Sequence, residues 1–280
     1  MKAYTLGLYE KSMPAQLSWK EKLIAAKEAG FDFIEISIDE TEAKLARLDM
    51  SKEERFELVK TMYEVGIPIG TMCLSGHRKY PLGSNDPFIR NKGMSIMEEA
   101  ISLAQDLGIR IIQLAGYDVY YEESTKETAA YFLKNLNKAV LMAASAGVLL
   151  GFETMETEFM NTVEKAMNYV NMVNSTYLNV YPDAGNVTNA ALFYNKDVLK
   201  DLQCGTGHMV AMHLKETVPG KFREIPFGTG HVDFENMILK AWECGIRKYV
   251  TEFWYTGNEN WREDLYDANQ RMTKILDINL

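Results

Sequence analysis

The chain is expected to fold as an α/β protein of one domain, a (β/α)8 barrel spanning 1–280, and three observations lead there. Eight short apolar or β-branched runs alternate with eight longer stretches of helical period. A glycine that stops a helix just before an apolar strand recurs five times along the chain. A length of 280 residues with 47% hydrophobic content suits a single barrel.

The strands are predicted at Tyr4–Tyr9, Phe31–Ile38, Ile67–Ser75, Ile109–Gly116, Val148–Met155, Tyr177–Pro182, Met209–Lys215 and Lys248–Trp254. The helical stretches between and after them are Trp19–Ala29, Lys52–Val65, Pro87–Leu107, Glu127–Ala146, Asn161–Val173, Lys196–Leu202, Phe234–Glu243 and Trp261–Leu276. Gly30, Gly66, Gly108, Gly147 and Gly245 punctuate EAG-FDFIEI, EVG-IPIGTM, DLG-IRIIQL, SAG-VLLGFE and ECG-IRKYVTEF. Strands that are apolar throughout point to a parallel sheet covered by helices. The rival architecture, an open doubly wound sheet, lacks its usual signature here, because no GxGxxG follows the first strand.

Composition excludes several partners. A formal charge of −9 and a pI near 5.1 argue against nucleic acid and anionic membranes, since no excess of Lys or Arg is present to neutralise phosphates. The N-terminal stretch has no apolar run resembling a secretory signal. The longest apolar stretch, Ala139 to Phe152, is broken by Ser145 and Gly147 and falls short of the roughly 20 residues that span a membrane. A cytoplasmic location is therefore expected. Cys73, Cys204 and Cys244 show no ligand spacing and are odd in number, which suits reduced thiols.

Barrel enzymes keep their chemistry at the C-terminal ends of the strands. Glu153, Asp183, His213 and Glu252 stand alone in apolar runs late in strands five to eight, thirty, thirty and thirty-nine residues apart. Any one of them alone would serve as a buried group bonded to backbone. Three carboxylates meeting on one rim repel unless a cation lies between them. Three carboxylates and one imidazole suit one hard or borderline divalent ion, with Zn2+ or Mn2+ preferred over Mg2+ or Co2+, and the absence of nearby Cys disfavours purely structural zinc. His208 precedes strand seven and is expected at the opposite rim in a structural role.

With these residues placed, the chain resembles the xylose-isomerase-like superfamily and its ketose 3-epimerases. The closer likeness is to the L-ribulose-5-phosphate 3-epimerases, also called L-xylulose-5-phosphate 3-epimerases, of ascorbate and pentose catabolism. The stretches that carry it are GLYEKSMPA, GFDFIEISIDETEAKLARLD, MCLSGHRKYPLGS, IRIIQLAGYDVYY, YPDAGN, HLKETVPGKF and PFGTGHVDF, spread over nearly the whole chain. The resemblance implies that Glu153, Asp183, His213 and Glu252 hold the metal and that Glu153 and Glu252 also form the acid/base pair. It implies a ketose phosphate as substrate. A homodimer is expected as well, since such barrels commonly associate.

The substrate's phosphate is expected near Ser75, His77, Arg78 and Lys79 after strand three, with Lys215 and Lys221 as second candidates. Where the unphosphorylated ketose 3-epimerases carry a His three positions after the Asp, this chain has Asn186, which speaks against a free sugar. Glu35, Gln113, Glu156 and Trp254 complete the expected substrate pocket. Relatives often have an acid near the substrate hydroxyls at the position of Glu35. Gln113 also suits support of Glu153, and Trp254 a pocket wall. Three other functions share features of the barrel. A 1,2-isomerase, including a hexulose-6-phosphate type, usually needs two metals and more ligands. An endonuclease of abasic DNA needs more His and a basic face. A sugar-binding module leaves the paired carboxylates unexplained.

Overall fold

The computed structural model describes residues 2–278. The expected domain span of 1–280 thus includes three residues, 1, 279 and 280, that lie outside the described ones. Eight strands run in parallel: β1 Thr5–Tyr9, β2 Phe33–Ile38, β3 Ile69–Leu74, β4 Ile111–Ala115, β5 Leu149–Glu153, β6 Leu178–Tyr181, β7 Met212–Leu214 and β8 Lys248–Thr251. They form one sheet in the order β6-β5-β4-β3-β2-β1-β8-β7. Its two edges meet through parallel bridges, Val180 with Met209 and Asp183 with His213. There Val180 N donates to His208 O at 2.7 Å and His213 N donates to Pro182 O at 2.9 Å, so the seam that closes the barrel runs beside the last residues of β6 and β7.

The helices are α1 Trp19–Glu28, α2 Glu42–Leu45, α3 Lys52–Val65, α4 Pro87–Leu107, α5 Lys126–Ala146, α6 Val163–Val173, α7 Ala184–Tyr194, α8 Val198–Gln203, α9 Phe234–Glu243 and α10 Trp261–Ile278. Local chemistry sets their ends. Ser18 with Glu21 and Ser51 with Glu54 form capping boxes on α1 and α3. Asp86 caps α4, which begins with Pro87. All five junction glycines have positive φ, the conformation that lets the chain leave a helix and enter a strand. None of the helices is long and apolar enough to cross a membrane among the described residues.

Besides the short helix α2, which was not predicted, two differences from the predicted elements bear on the site. Strand β7 is shorter than Met209–Lys215, because the chain around Met209 pairs with Val180 through an isolated bridge rather than a regular ladder. Helix α7 was not predicted at all. Its sequence AGNVTNAALFY is buried over most of its first two turns, with Gly185, Asn186 and Asn189 among the buried residues, so the amphipathic stripe that signals a surface helix is missing.

Alternation along the strands separates two cores. Ile34, Ile36 and Ile38 of β2 join the large cluster between sheet and helices, with Leu23, Leu58 and Met62. Phe33 faces the other way, into a small lumen cluster with Tyr9, Cys73, Ile111, Tyr181, Ala211 and Val250. A Cβ on Gly7 or Gly70 would lie 2.4 or 2.8 Å from the Phe33 side chain, so both neighbouring strands give up side chains to let this ring fill the lumen. The β2–β3 register also shifts between Ile34 and Glu35. Above Phe33 the lumen becomes polar, and that change marks the site.

Candidate metal and catalytic site

Glu153 ends β5 and Glu252 follows β8 directly. Asp183 is the N-cap of α7, its Oδ1 accepting from Asn186 N at 2.7 Å, so the unpredicted helix orients this carboxylate. His213 is the middle residue of β7. One ligand atom from each of the four lies within 4.8 Å of the others, and all four residues are buried. The His213 Nδ1 lies 3.0 Å from Glu252 Oε2, 3.4 Å from Glu153 Oε1 and 3.9 Å from Asp183 Oδ2. This cluster, the one such group among the described residues, could hold a metal ion.

Donor chemistry and satisfaction agree with that. Asp183 Oδ2 and Glu252 Oε2 are buried without an aligned hydrogen bond. What approaches them is charge: Lys215 Nζ lies 3.0 Å from the first and 3.7 Å from the second. Buried carboxylate oxygens without aligned donors are costly and mark a place for a cation. Burial works against charging His213, but Glu35 and Glu252 beside it raise its pKa well above the ordinary value. Burial lifts the Asp183 carboxyl well above its ordinary range, against the pull of Lys215. Glu252 goes the other way: burial opposes ionisation, yet Lys215 and His213 hold it well below.

The surroundings position these groups. Gln113 donates through Nε2 to Glu153 Oε2. Asn186 donates through Nδ2 to Thr154 O at 2.7 Å, while its Oδ1 has no partner. Lys215 is buried and contacts Asp183 and Glu252 rather than lying in an open loop. Glu35, expected in the substrate pocket, is held by protein groups. It is fully buried, and its carboxylate engages Thr71 Oγ1 at 2.8 Å, Tyr181 OH at 2.9 Å and His213 Nε2 at 2.6 Å, so it lies behind the histidine with no open face.

The loop after β3 divides. The buried Nε2 of His77 lies 3.0 Å from Gly93 O in α4, and burial lowers its pKa to about 4. Ser75 is half-buried at the start of the same turn, and Lys79 is exposed with its ammonium 5.5 Å over Tyr80. Arg78 differs from both. Its guanidinium lies 4.7 Å over the Tyr120 ring, its Nε is buried without a partner, and no carboxylate pairs with it among the described residues. Glu156 accepts from Tyr120 OH at 3.0 Å and from Arg223 at 3.4 Å. Trp254 packs edge-on against Tyr9 at 6.2 Å. Lys221 is exposed in a turn closed on Val218, away from the contacts of Lys215.

Sequence reasoning missed Tyr117, Tyr120, Tyr181 and Arg223. Tyr117 OH is buried without a partner, and its ring lies 5.2 Å from Tyr120. The run GYDVYY at the end of β4, three tyrosines beside the catalytic rim, was the available signal. Glu216 was also missed. It accepts from Gly228 N and Val232 N and so ties down the loop after β7. A Cβ on Gly230 would lie 2.2 Å from Glu216 Oε1, which explains part of the PFGTGHVDF pattern as packing.

Known proteins share this architecture. A family model described as xylose isomerase-like TIM barrel matches residues 23–274. A protein named L-ribulose-5-phosphate 3-epimerase UlaE from Salmonella typhimurium is 47% identical over 262 residues, covering 92% of this chain and 90% of its own. The same-named protein of Salmonella paratyphi C is 46% identical over 260 residues, with the same coverage. Among solved structures, D-psicose 3-epimerase from Clostridium cellulolyticum H10 with D-tagatose superposes with a TM-score of 0.79 at 16% identity, covering 97% of this chain and 99% of that one. An L-ribulose 3-epimerase gives 0.74 at 18% identity, covering 99% and 94%. At those identities the structural matches speak for the fold.

Proposed function

The chain belongs to the xylose isomerase-like TIM-barrel family and, within it, to the L-ribulose-5-phosphate 3-epimerases, and we propose on that premise that it interconverts L-ribulose 5-phosphate and L-xylulose 5-phosphate by proton transfer at C3. The observation that carries the reading is the convergence of Glu153 and Glu252 on one buried cluster. Its place in ascorbate and pentose catabolism follows from the same resemblance. Glu153, Asp183, His213 and Glu252 would hold one divalent ion, with Mn2+ or Zn2+ favoured by three carboxylates and one imidazole. When bound, such an ion polarises the ketose carbonyl and offsets the charge of the enediolate.

The proton chemistry belongs to the two glutamates. Epimerisation at C3 removes a proton on one face of the enediolate and returns one on the other, so it needs two bases on opposite sides. Glu153 and Glu252 come from β5 and β8, three strands apart around the rim. Gln113 fixes Glu153 by donating to Oε2, leaving Oε1 directed at the cluster. Glu252 brings its Oε2 to the same cluster, 3.0 Å from His213 Nδ1 and 3.7 Å from Lys215 Nζ. Lys215, buried and cationic, would donate to a substrate oxygen beside them. We place the phosphate at Arg78, whose unpaired guanidinium and neighbouring Tyr117 hydroxyl offer donors without a competing carboxylate pair. Glu156, Asn186 and Trp254 would line the remaining pocket.

The test is isotopic. Incubation of the metal-loaded protein with L-xylulose 5-phosphate in D2O is expected to give L-ribulose 5-phosphate with deuterium at C3. Deuterium at C1 alone would move the assignment to a 1,2-isomerase.

A further inference from the structure

Glu35 is the one acid at the site that neither faces the ligand cluster nor reaches solvent, and its contacts give it a direction. Register places it on β2 opposite Tyr9 of β1 and Thr71 of β3. Thr71 Oγ1 donates to its Oε2 at 2.8 Å. Tyr181 reaches across the lumen from β6 and donates to the same oxygen at 2.9 Å. With Oε2 occupied by two hydroxyl donors, Oε1 remains for His213 Nε2 at 2.6 Å. The Tyr181 ring also lies edge-on to the imidazole with centroids 4.8 Å apart, which fixes the ring's tilt.

A neutral imidazole carries one N–H, and the nitrogen whose proton is taken up by a fixed carboxylate leaves the other with a free lone pair. The other nitrogen here is Nδ1, which faces Glu153, Asp183 and Glu252 and would give up its proton where an ion takes its place. We infer that Glu35 is a positioning residue of this site: by binding the Nε2 proton of His213 it presents Nδ1 to the divalent ion, with Thr71 and Tyr181 holding Glu35 in place. The inference deepens the metal-dependent reading above and rests on it. Carboxylates behind metal-bound histidines fix the ring and raise its basicity, and their loss typically weakens metal binding by about 10–100-fold.

Glu35→Gln retains the size and an acceptor but removes the charge. Titration of the metal-free protein with Co2+, read by visible absorption and by competition with a chelator, is expected to show affinity lowered about 10–100-fold and an altered Co2+ spectrum. Far-UV circular dichroism of the same metal-free sample is expected to match the wild type. Should Glu35→Gln fail to fold, Tyr181→Phe removes one hydroxyl from Glu35 and is expected to shift affinity in the same direction by a smaller factor. Wild-type affinity and spectrum in the folded variant would overturn the positioning role, as would a wild-type protein that binds no Co2+. Failure of the epimerase reading shows elsewhere, as absence of C3 exchange by a wild type that binds Co2+ normally.

Discussion

Two clusters of buried charge stand at the C-terminal ends of the strands, and they are opposite in kind. Glu10, directly after β1, is fully buried against three cations: Lys22 Nζ at 3.1 Å, Lys44 and Arg47, with Ser37 N donating at 2.8 Å. Around His213 the balance is reversed, with Glu35, Glu153, Asp183 and Glu252 sharing one imidazole and Lys215. The Glu10 carboxylate has donors on both oxygens. In the second cluster Asp183 Oδ2 and Glu252 Oε2 have none in aligned geometry. Burial of charge is common to both, so burial alone does not mark function; the excess of carboxylates over cations around His213 does.

The comparison is sharpened most by removing one acid from each cluster. Glu153→Gln and Glu252→Gln are each expected to lower turnover by about 10²–10⁴-fold, the usual contribution of a positioned acid or base. Deuterium exchange at C3, followed by NMR, measures it. Exchange limited to one epimer would show the two faces served by different residues, and normal turnover in both variants would end the two-base proposal.

Glu10→Gln is expected to act on stability instead, lowering it by about 3–5 kcal/mol because three cations lose their shared partner, with kcat/KM per folded molecule retained. Urea denaturation measures the first and epimerisation assays the second. The pH dependence has a definite sign. Burial would raise the Glu10 carboxyl, but Arg47 and the two lysines outweigh it and lower its pKa from 4.5 to about 2. Between those values the unfolded chain binds a proton that the folded chain does not, so this contribution is complete above about pH 4.5 and is lost as pH falls toward 2. The acid limb of stability is therefore expected to be less steep in Glu10→Gln than in the wild type. Equal steepness would show that the cluster is not the closed structural unit described.

A divalent ion distinguishes the clusters in a third way. At a concentration about 100 times its dissociation constant, ligand binding to the folded state adds about 2.7 kcal/mol. Mn2+ or Zn2+ is expected to raise the melting temperature of the wild type and of Glu10→Gln alike, and to leave Asp183→Asn nearly unmoved. Equal stabilisation of Asp183→Asn would locate the ion elsewhere.

The open cluster was legible in the sequence because its residues interrupt apolar strands at βα intervals, and a charged residue in such a run has few explanations. The glycine junctions were legible for a similar reason, since each combines a helix stop with an apolar start. The closed cluster was not, because Lys22, Lys44 and Arg47 lie in polar, helix-patterned sequence where a solvated face is the default reading. Glu35 was found without its partners: position along β2 gives its height in the lumen, whereas Tyr181 lies 146 residues away. His77 and Arg78 are neighbours in one turn that point to different surroundings, a distinction that spacing does not carry.

That turn supplies the smallest effects, and they bear on whether the site takes a phosphorylated sugar. Arg78 has a buried Nε without a partner, and Tyr117 OH is in the same condition. A phosphate supplies acceptors for both. Hydrogen bonds to a charged group contribute about 1.5–3 kcal/mol, so Arg78→Ala is expected to lower kcat/KM for the ketose phosphate by about 10–100-fold, mostly through KM, since the phosphate is bound before and during proton transfer. Activity on the corresponding unphosphorylated pentulose should change little. Lys79→Ala, at an exposed position, is expected to stay within about 0.5 kcal/mol for either substrate. An equal loss on both substrates in Arg78→Ala would assign Arg78 to the architecture of the rim through Tyr120, and a larger loss in Lys79→Ala would move the phosphate outward along the loop.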